Sequence, residues 1–164
     1  MEINGKYLKE FYVRDNGSLL NLAIAEFCPN LRKLFTGCKI NKEVLKKIFN
    51  NCQYLESIKI WCADYYLSEK DLLEVVAEYS PSNIYELKLC YGFEAQSELL
   101  PEELESFFIS WTNRIPQKSL SFIIIYNDAD TLADNYENKQ IIEKYIELGI
   151  IKEFETIDYY DSGY

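Results

Sequence analysis

Leu31-Arg32-Lys33-Leu34-Phe35-Thr36 and Leu55-Glu56-Ser57-Ile58-Lys59-Ile60 are two copies of one pattern, with apolar residues at the first and fourth places and again near the end. Working outward from this pair, the pattern recurs as Leu8 to Val13, Ile84 to Leu89, Leu120 to Ile125 and, more weakly, Ile151 to Thr156. Most copies are followed by a polar or thiol residue: Asn16, Cys38, Cys62, Cys90 and Asn127. The first apolar residues lie 23, 24, 29, 36 and 31 positions apart. A strand of about six residues and a helix of about ten fit into each interval. Self-similarity at such periods is the mark of stacked β/α units, because one unit cannot bury its apolar side alone.

The intervals read as helices. Ser18 can cap a run holding Leu19, Leu20, Leu22, Ala23 and Phe27, and Asn41 one holding Val44, Leu45, Ile48 and Phe49. Ser68-Glu69-Lys70-Asp71 has capping-box spacing ahead of Leu72, Leu73, Val75 and Val76. Pro101 suits a first turn before Leu104, Phe107, Phe108 and Trp111. Asn138 leads into Ile141, Ile142, Tyr145, Ile146 and Leu148, and Gly149 supplies a stop. The expected fold class is α/β: a solenoid with a curved parallel sheet on its concave side and helices on the convex side. Residues 1–158 form about five repeats plus a terminal strand, and 159–164 an acidic, tyrosine-rich tail. Strand leucines point into the core and the residues between them point to solvent.

Competing β/α architectures fit less well. A doubly wound sheet buries both faces of its strands, whereas these strands interpose Lys, Glu, Arg and Ser. Neither glycine-rich phosphate-binding signature occurs. An eight-unit barrel needs more chain than 164 residues.

The formal net charge is −10. Residues 126–164 hold 10 acidic and 3 basic side chains, a net of −7, which leaves −3 for the rest. Such a chain is a poor match for nucleic acid or an anionic membrane, since phosphate binding draws on clustered Lys and Arg. The apolar runs, such as Phe122 to Tyr126, are too short to span a bilayer. Met1 to Lys6 lack the form of a secretory signal, which sets a cytoplasmic or nuclear expectation.

Chemistry finds little foothold. With no histidine, Ser-His-Asp catalysis, Cys-His catalysis and His-ligated zinc are all out of reach. The five cysteines make an odd set without close C-x₂-C pairs. Cys28 to Cys38 and Cys52 to Cys62 share one spacing, as expected of equivalent repeat positions, so free and buried thiols are expected. Asp128 to Asp134 starts like a calcium loop but has Leu132 at the fifth position, where a ligand belongs, Ala133 at the sixth, where Gly belongs, and Lys139 at the twelfth, where Glu belongs. No enzyme, cofactor or metal is expected.

Cys28-Pro29-Asn30-Leu31-Arg32-Lys33-Leu34 and Cys52-Gln53-Tyr54-Leu55-Glu56-Ser57-Ile58 resemble the cysteine-containing class of leucine-rich repeat. The likeness covers nearly the whole chain and is to the repeat region of F-box/leucine-rich-repeat proteins of fungal type. It implies a ribonuclease-inhibitor-like solenoid. It also implies a substrate-recognition role in an SCF-type ubiquitin ligase, with repeats on the target and an F-box on the Skp1 adaptor. The first repeat begins near Leu8, which leaves no room for an F-box before it. Leu100-Pro101-Glu102-Glu103-Leu104-Glu105-Ser106-Phe107-Phe108 mimics an F-box opening but has the apolar face of a repeat helix. Skp1 and cullin are therefore expected partners only if an F-box lies upstream. The alternative is a stand-alone scaffold or competitor without Skp1.

One surface remains. The residues just before the last apolar strand position read Tyr12, Phe35, Lys59, Lys88, Ile124 and Glu155. Lys9, Arg32, Lys33, Glu56, Tyr85 and Glu86 lie beside them, with Trp61 just past its strand. Aromatic residues and arginine anchor protein interfaces. Tyr12, Arg32, Lys33, Phe35, Lys59, Trp61, Tyr85 and Lys88 are the candidate binding residues, for a protein target with an acidic or phosphorylated segment.

Overall fold

A computed structural model describes residues 4–13, 18–36, 40–63 and 66–162. Met1 to Ile3, Asn16, Cys38 and the last two residues of the tail lie outside the described residues. Six strands alternate with five α-helices: β1 Glu10–Val13, α1 Ser18–Phe27, β2 Lys33–Thr36, α2 Lys42–Asn51, β3 Ser57–Cys62, α3 Glu69–Tyr79, β4 Glu86–Tyr91, α4 Pro101–Thr112, β5 Leu120–Tyr126, α5 Tyr136–Glu147 and β6 Ile151–Asp158. The strands form one parallel sheet in the order β1-β2-β3-β4-β5-β6. Crossovers between parallel neighbours share one hand, so a sheet whose order never reverses carries its helices on one face. The helices accordingly pack neighbour on neighbour, α1 on α2 through to α4 on α5. The α/β class is as expected.

The entry to the strands repeats atom for atom. Leu31 N–H donates to Cys28 O, Leu55 N–H to Cys52 O and Ile84 N–H to Pro81 O, at 3.1–3.2 Å. The next amides, of Arg32, Glu56 and Tyr85, donate to Lys9 O, Arg32 O and Glu56 O of the preceding unit. Asn30 Nδ2 donates to Lys6 O at 2.7 Å and Asn83 Nδ2 to Gln53 O at 3.1 Å, each acceptor two residues before its unit's first apolar residue. The leading Leu8, Leu31, Leu55 and Ile84 thus belong to this turn, and β1 to β4 start two residues later than the apolar pattern suggests.

The fifth unit departs from the pattern. Leu120 lies only two residues before the core position Phe122, where Ile84 lies three before Leu87. Matching this, the β5–β6 register shifts by one residue between Leu120 and Ser121. A one-residue shift exchanges the faces of a strand. Phe122 and Ile124 therefore face the helices, in register with Leu87 and Leu89, and Ile123 takes the place expected of Ile124.

The caps are mostly those expected. Asn41 Oδ1 accepts from Val44 N at 2.9 Å and Ser68 Oγ from Asp71 N at 3.2 Å. Pro101 opens α4, where the Glu103 carboxylate accepts from Leu100 N. The α5 cap is Asn135, not Asn138: Asn135 Oδ1 accepts from Asn138 N, and Asn138 is buried with Nδ2 on Leu132 O. Gly149, at φ +72°, ends α5 in a Schellman turn, with Gly149 N on Ile146 O and Ile150 N on Tyr145 O.

The main core lies between sheet and helices. Leu34, Ile58, Ile60, Leu87, Leu89, Phe122 and Ile124 meet Leu45, Ile48, Leu72, Val76, Leu104, Phe108 and Ile142 there. Trp111 is buried among them, with Nε1 donating to Lys118 O. At the carboxyl ends of the strands, buried Glu69 accepts hydrogen bonds from Tyr91 Oη, Ser97 Oγ and Glu98 N. Three donors and the first turn of α3 satisfy this carboxylate and tie the long loop after β4 to the fold. Among the described residues, no helix is long and apolar enough to cross a membrane.

Candidate functional site

The sheet face opposite the helices carries three rows of side chains. Nearest the strand starts run Glu10, Lys33, Ser57, Glu86, Ser121 and Glu153. The middle row is Tyr12, Phe35, Lys59, Lys88, Ile123 and Glu155. The third holds Trp61, Cys90, Ile125 and Ile157. Among the described residues of β3 to β6, the face therefore grades from polar to apolar along the strand direction. In-register strands about 4.8 Å apart make each row a line of touching neighbours.

The first row is bonded to itself. Lys33 Nζ is 3.2 Å from Glu10, Ser57 Oγ donates to Glu86 at 2.5 Å, and Ser121 Oγ donates to Glu153 at 2.7 Å. Lys88 Nζ reaches Glu86 at 3.3 Å. In the middle row the Lys59 ammonium lies 4.6 Å from the centre of the Phe35 ring, where the ring's negative face attracts a cation. A groove of 490 Å³ opens over these residues, lined by Tyr12, Lys33, Phe35, Lys59, Tyr85 and Lys88, with Ile123, Ile125, Ile157 and Ser162 at its far side.

Six of the eight expected residues thus meet in one groove. Arg32 is not among them: it pairs with Glu56 at 3.2 Å at the strand entry. Trp61 lies in the third row, stacked with Tyr66 and packed against Tyr159 at 5.6 Å. Glu10 and Glu86 offset the charges of Lys33 and Lys88, so the groove is a mosaic of paired charges and rings. The pairs raise the proton affinity of Lys33, chiefly through the hydrogen bond to Glu10. Burial, then the Glu10 carboxylate, pushes the Tyr12 phenol up.

The face is not uniformly exposed. Cys90, Ile123 and Ile125 are buried in a second small core with Trp61, Ile157 and Tyr159. Tyr159 N–H donates to Tyr126 O at 2.8 Å, and Ser162 Oγ and N–H return to Tyr159 O, closing a turn over the edge of the face. Phe35, Ser57 and Ser121 are buried too, so not all residues between the strand leucines point to solvent. The missed contributors are Ile123, Ile125, Ile157, Tyr159 and Ser162. The unbroken apolar run from Phe122 to Ile125 is the signal for Ile123 and Ile125, since a strand apolar at every position is covered on both faces.

The described cysteines, Cys28, Cys52, Cys62 and Cys90, are buried. Cys28 and Cys52 occupy equivalent repeat positions, each carbonyl accepting from the strand-entry amide of Leu31 or Leu55, whereas Cys90, in register with Trp61, lies on the face opposite Cys62, which is in register with Tyr91. Cys52 Sγ donates to Cys28 O, one unit back, at 3.3 Å. Burial pushes the Cys52 and Cys90 thiols up to about 12, so neither is a nucleophile at neutral pH. Asp134 has a structural partner, its carboxylate capping Thr131 N and Oγ1 at 2.7 and 2.9 Å.

A larger cavity of 680 Å³ lies between α3 and α4, lined by Lys70, Glu74, Glu78, Glu102 and Glu103 around Leu73 and Phe107. It offers no comparable set of rings beside cations. No family model matches the chain, and no curated protein matches it.

Proposed function

We propose that this chain is a leucine-rich-repeat solenoid that binds a protein on the sheet face opposite its helices. The observation that carries this reading is the groove where Tyr12, Phe35, Lys59, Tyr85 and Lys88 converge from four different units. Tyr12 and Tyr85 are exposed there, the usual condition of interface anchors in an unbound protein. The solenoid reading is supported by the repeating strand-entry turn and by the Asn30 and Asn83 bonds to the preceding unit. The resemblance of the Cys28 and Cys52 segments to cysteine-containing repeats suggests the role: recognition of a target for an SCF-type ubiquitin ligase. A stand-alone scaffold or competitor is the alternative.

The test is affinity purification with mass spectrometry on the wild-type chain and the Lys59→Glu/Lys88→Glu variant, side by side. A target held on the groove is recovered with the first and lost with the second. Equal recovery by a folded variant removes the groove from the reading. Skp1 and cullin among the recovered proteins favour the ligase role, and recovery of a target without them favours the scaffold.

A further inference from the structure

We infer that the outer edge of β6 is a second protein-binding surface, which takes an extended segment alternating apolar with basic residues and adds it to the sheet as a further strand. None of the groove's charged residues takes part, so this surface stands apart from the binding reading above.

The main chain offers the edge. β6 is the last strand in the sheet order, and among the described residues only β5 pairs with it. The Tyr159 amide extends that ladder by donating to Tyr126 O. Main-chain groups alternate in direction along a strand, so Ile157 and Glu155 turn the same way as Tyr159. Phe154 and Thr156 turn their N–H and C=O groups outward. An added strand bonds to groups of this kind.

The helix face of β6 asks for apolar residues. Phe154 is half-buried there, 6.0 Å from the Phe122 ring. Among the described residues no helix follows β6, and α5 alone packs on it. A cavity of 540 Å³ opens beside the two, lined by buried Ala133 and Ile142, exposed Ile146, and Phe154. Glu143 and Lys139 on its rim offset each other. The helix-side residues of an added strand would lie against this apolar lining.

The open face asks for cations. Glu153 and Glu155 are exposed there, and Glu153 accepts from Ser121 Oγ on the β5 side. β6 holds Lys152 against Glu153, Glu155 and Asp158, in a chain of net charge −10. Charges on an edge discourage indiscriminate pairing, and these carboxylates discriminate by sign. A second copy is a poor occupant. Its β1, continuing the rows in register, would set Glu10 beside Glu153. Two β6 strands paired antiparallel about residue 153, 154 or 155 would set carboxylate against carboxylate.

The probe is a fluorescein-labelled peptide alternating lysine with valine over the length of β6, titrated by anisotropy at physiological ionic strength. Wild type should bind it saturably. Thr156→Pro removes only an outward N–H and leaves the charge unchanged, and it should weaken binding at least about tenfold. Glu155→Lys should weaken it at least as much, and a glutamate–valine peptide should bind at least about tenfold more weakly than the lysine peptide. Equal binding by a folded Thr156→Pro chain would reduce the effect to a basic peptide on an acidic protein and overturn the inference. So would absence of saturable binding to wild type, or equal binding of the glutamate peptide. Should Thr156→Pro unfold, hydrogen exchange on wild type decides: the peptide should slow the Phe154 and Thr156 amides at least about tenfold, and unchanged rates overturn it. Sedimentation of the chain alone should show a monomer. A dimer lost in Thr156→Pro would put a second copy on the edge and overturn the basic partner. Lys59→Glu/Lys88→Glu should leave peptide binding undiminished, so failure of the groove and failure of the edge are read separately.

Discussion

The β1–β4 half of the open face and its β5–β6 half belong to one parallel sheet, yet the first is largely open and the second largely covered. Across the middle row the side chains change from Tyr12, Phe35, Lys59 and Lys88 to Ile123. Tyr12 remains exposed, while Ile123 and Ile125 are buried beside Tyr159. In a parallel sheet with helices on one side, the second side needs a cover only where its residues are apolar. A cation over a ring leaves part of the face wet at little cost. A pair of isoleucines does not, and the chain turns back over them. The face is thus divided by its side chains together with the one-residue register shift at the start of β5.

The comparison breaks first if β5 is not the strand buried on both sides. Phe122 is fully buried on its helix side, against Phe107, Phe108 and Phe154. Phe122→Ala should cost about 3–5 kcal/mol in urea unfolding. Ile125 tests its other side. Ile125→Ala should cost about 2–3 kcal/mol, since Ile125 is buried in the smaller core that includes Tyr159. A loss within about 0.5 kcal/mol would mean that Ile125 is solvated and the cover is not closed.

Much of this was legible in the sequence, and the misses have physical causes. Repeat spacing located the six strands and five α-helices of the described residues, because Leu31, Leu55 and Ile84 recur at the same turn. The first four residues of the middle row, Tyr12, Phe35, Lys59 and Lys88, were placed correctly since their units keep one phase. The fifth row member was missed because all of Phe122, Ile123, Ile124 and Ile125 are apolar. Such a run shows no alternation from which to choose a face. The α5 cap was missed because Asn135 and Asn138 are equally good capping residues, and burial of Asn138 is decided by contacts distant in sequence. The pairing of Lys33 with Glu10 and Lys88 with Glu86 depends on register and reach, which residue types alone do not express.

Alkaline pH sharpens the comparison at Cys90, beneath the covered half. Its folded thiol is held near 12 by burial, against an ordinary value of 9.0. Between those values the unfolded state loses a proton that the folded state keeps. Stability therefore falls as pH rises from 9 towards 12, and the contribution is intact below 9. At pH 10 the loss from this thiol is about 1 kcal/mol. Lysine pairs titrate in the same window, so the measurement is the difference in pH slope between wild type and Cys90→Ala. A slope unchanged by the substitution would place Cys90 in contact with water.

The smallest expected effect on stability falls on the open half. Tyr12 and Tyr85 are 56% and 41% exposed, and they belong to neither buried core. Tyr12→Ala and Tyr85→Ala should each change the unfolding free energy by less than about 0.5 kcal/mol. A surface kept for a partner behaves in this way, because its rings acquire their contacts only on association, where truncating an anchor costs about 2 kcal/mol or more. The pair of measurements therefore matters more than either one. Unchanged stability with weakened capture of a target marks the tyrosines as anchors. Unchanged stability with unchanged capture confines recognition to Phe35, Lys59 and Lys88. A substantial loss of stability would show that Tyr12 and Tyr85 already serve the fold, and the open half would then be a second, looser core.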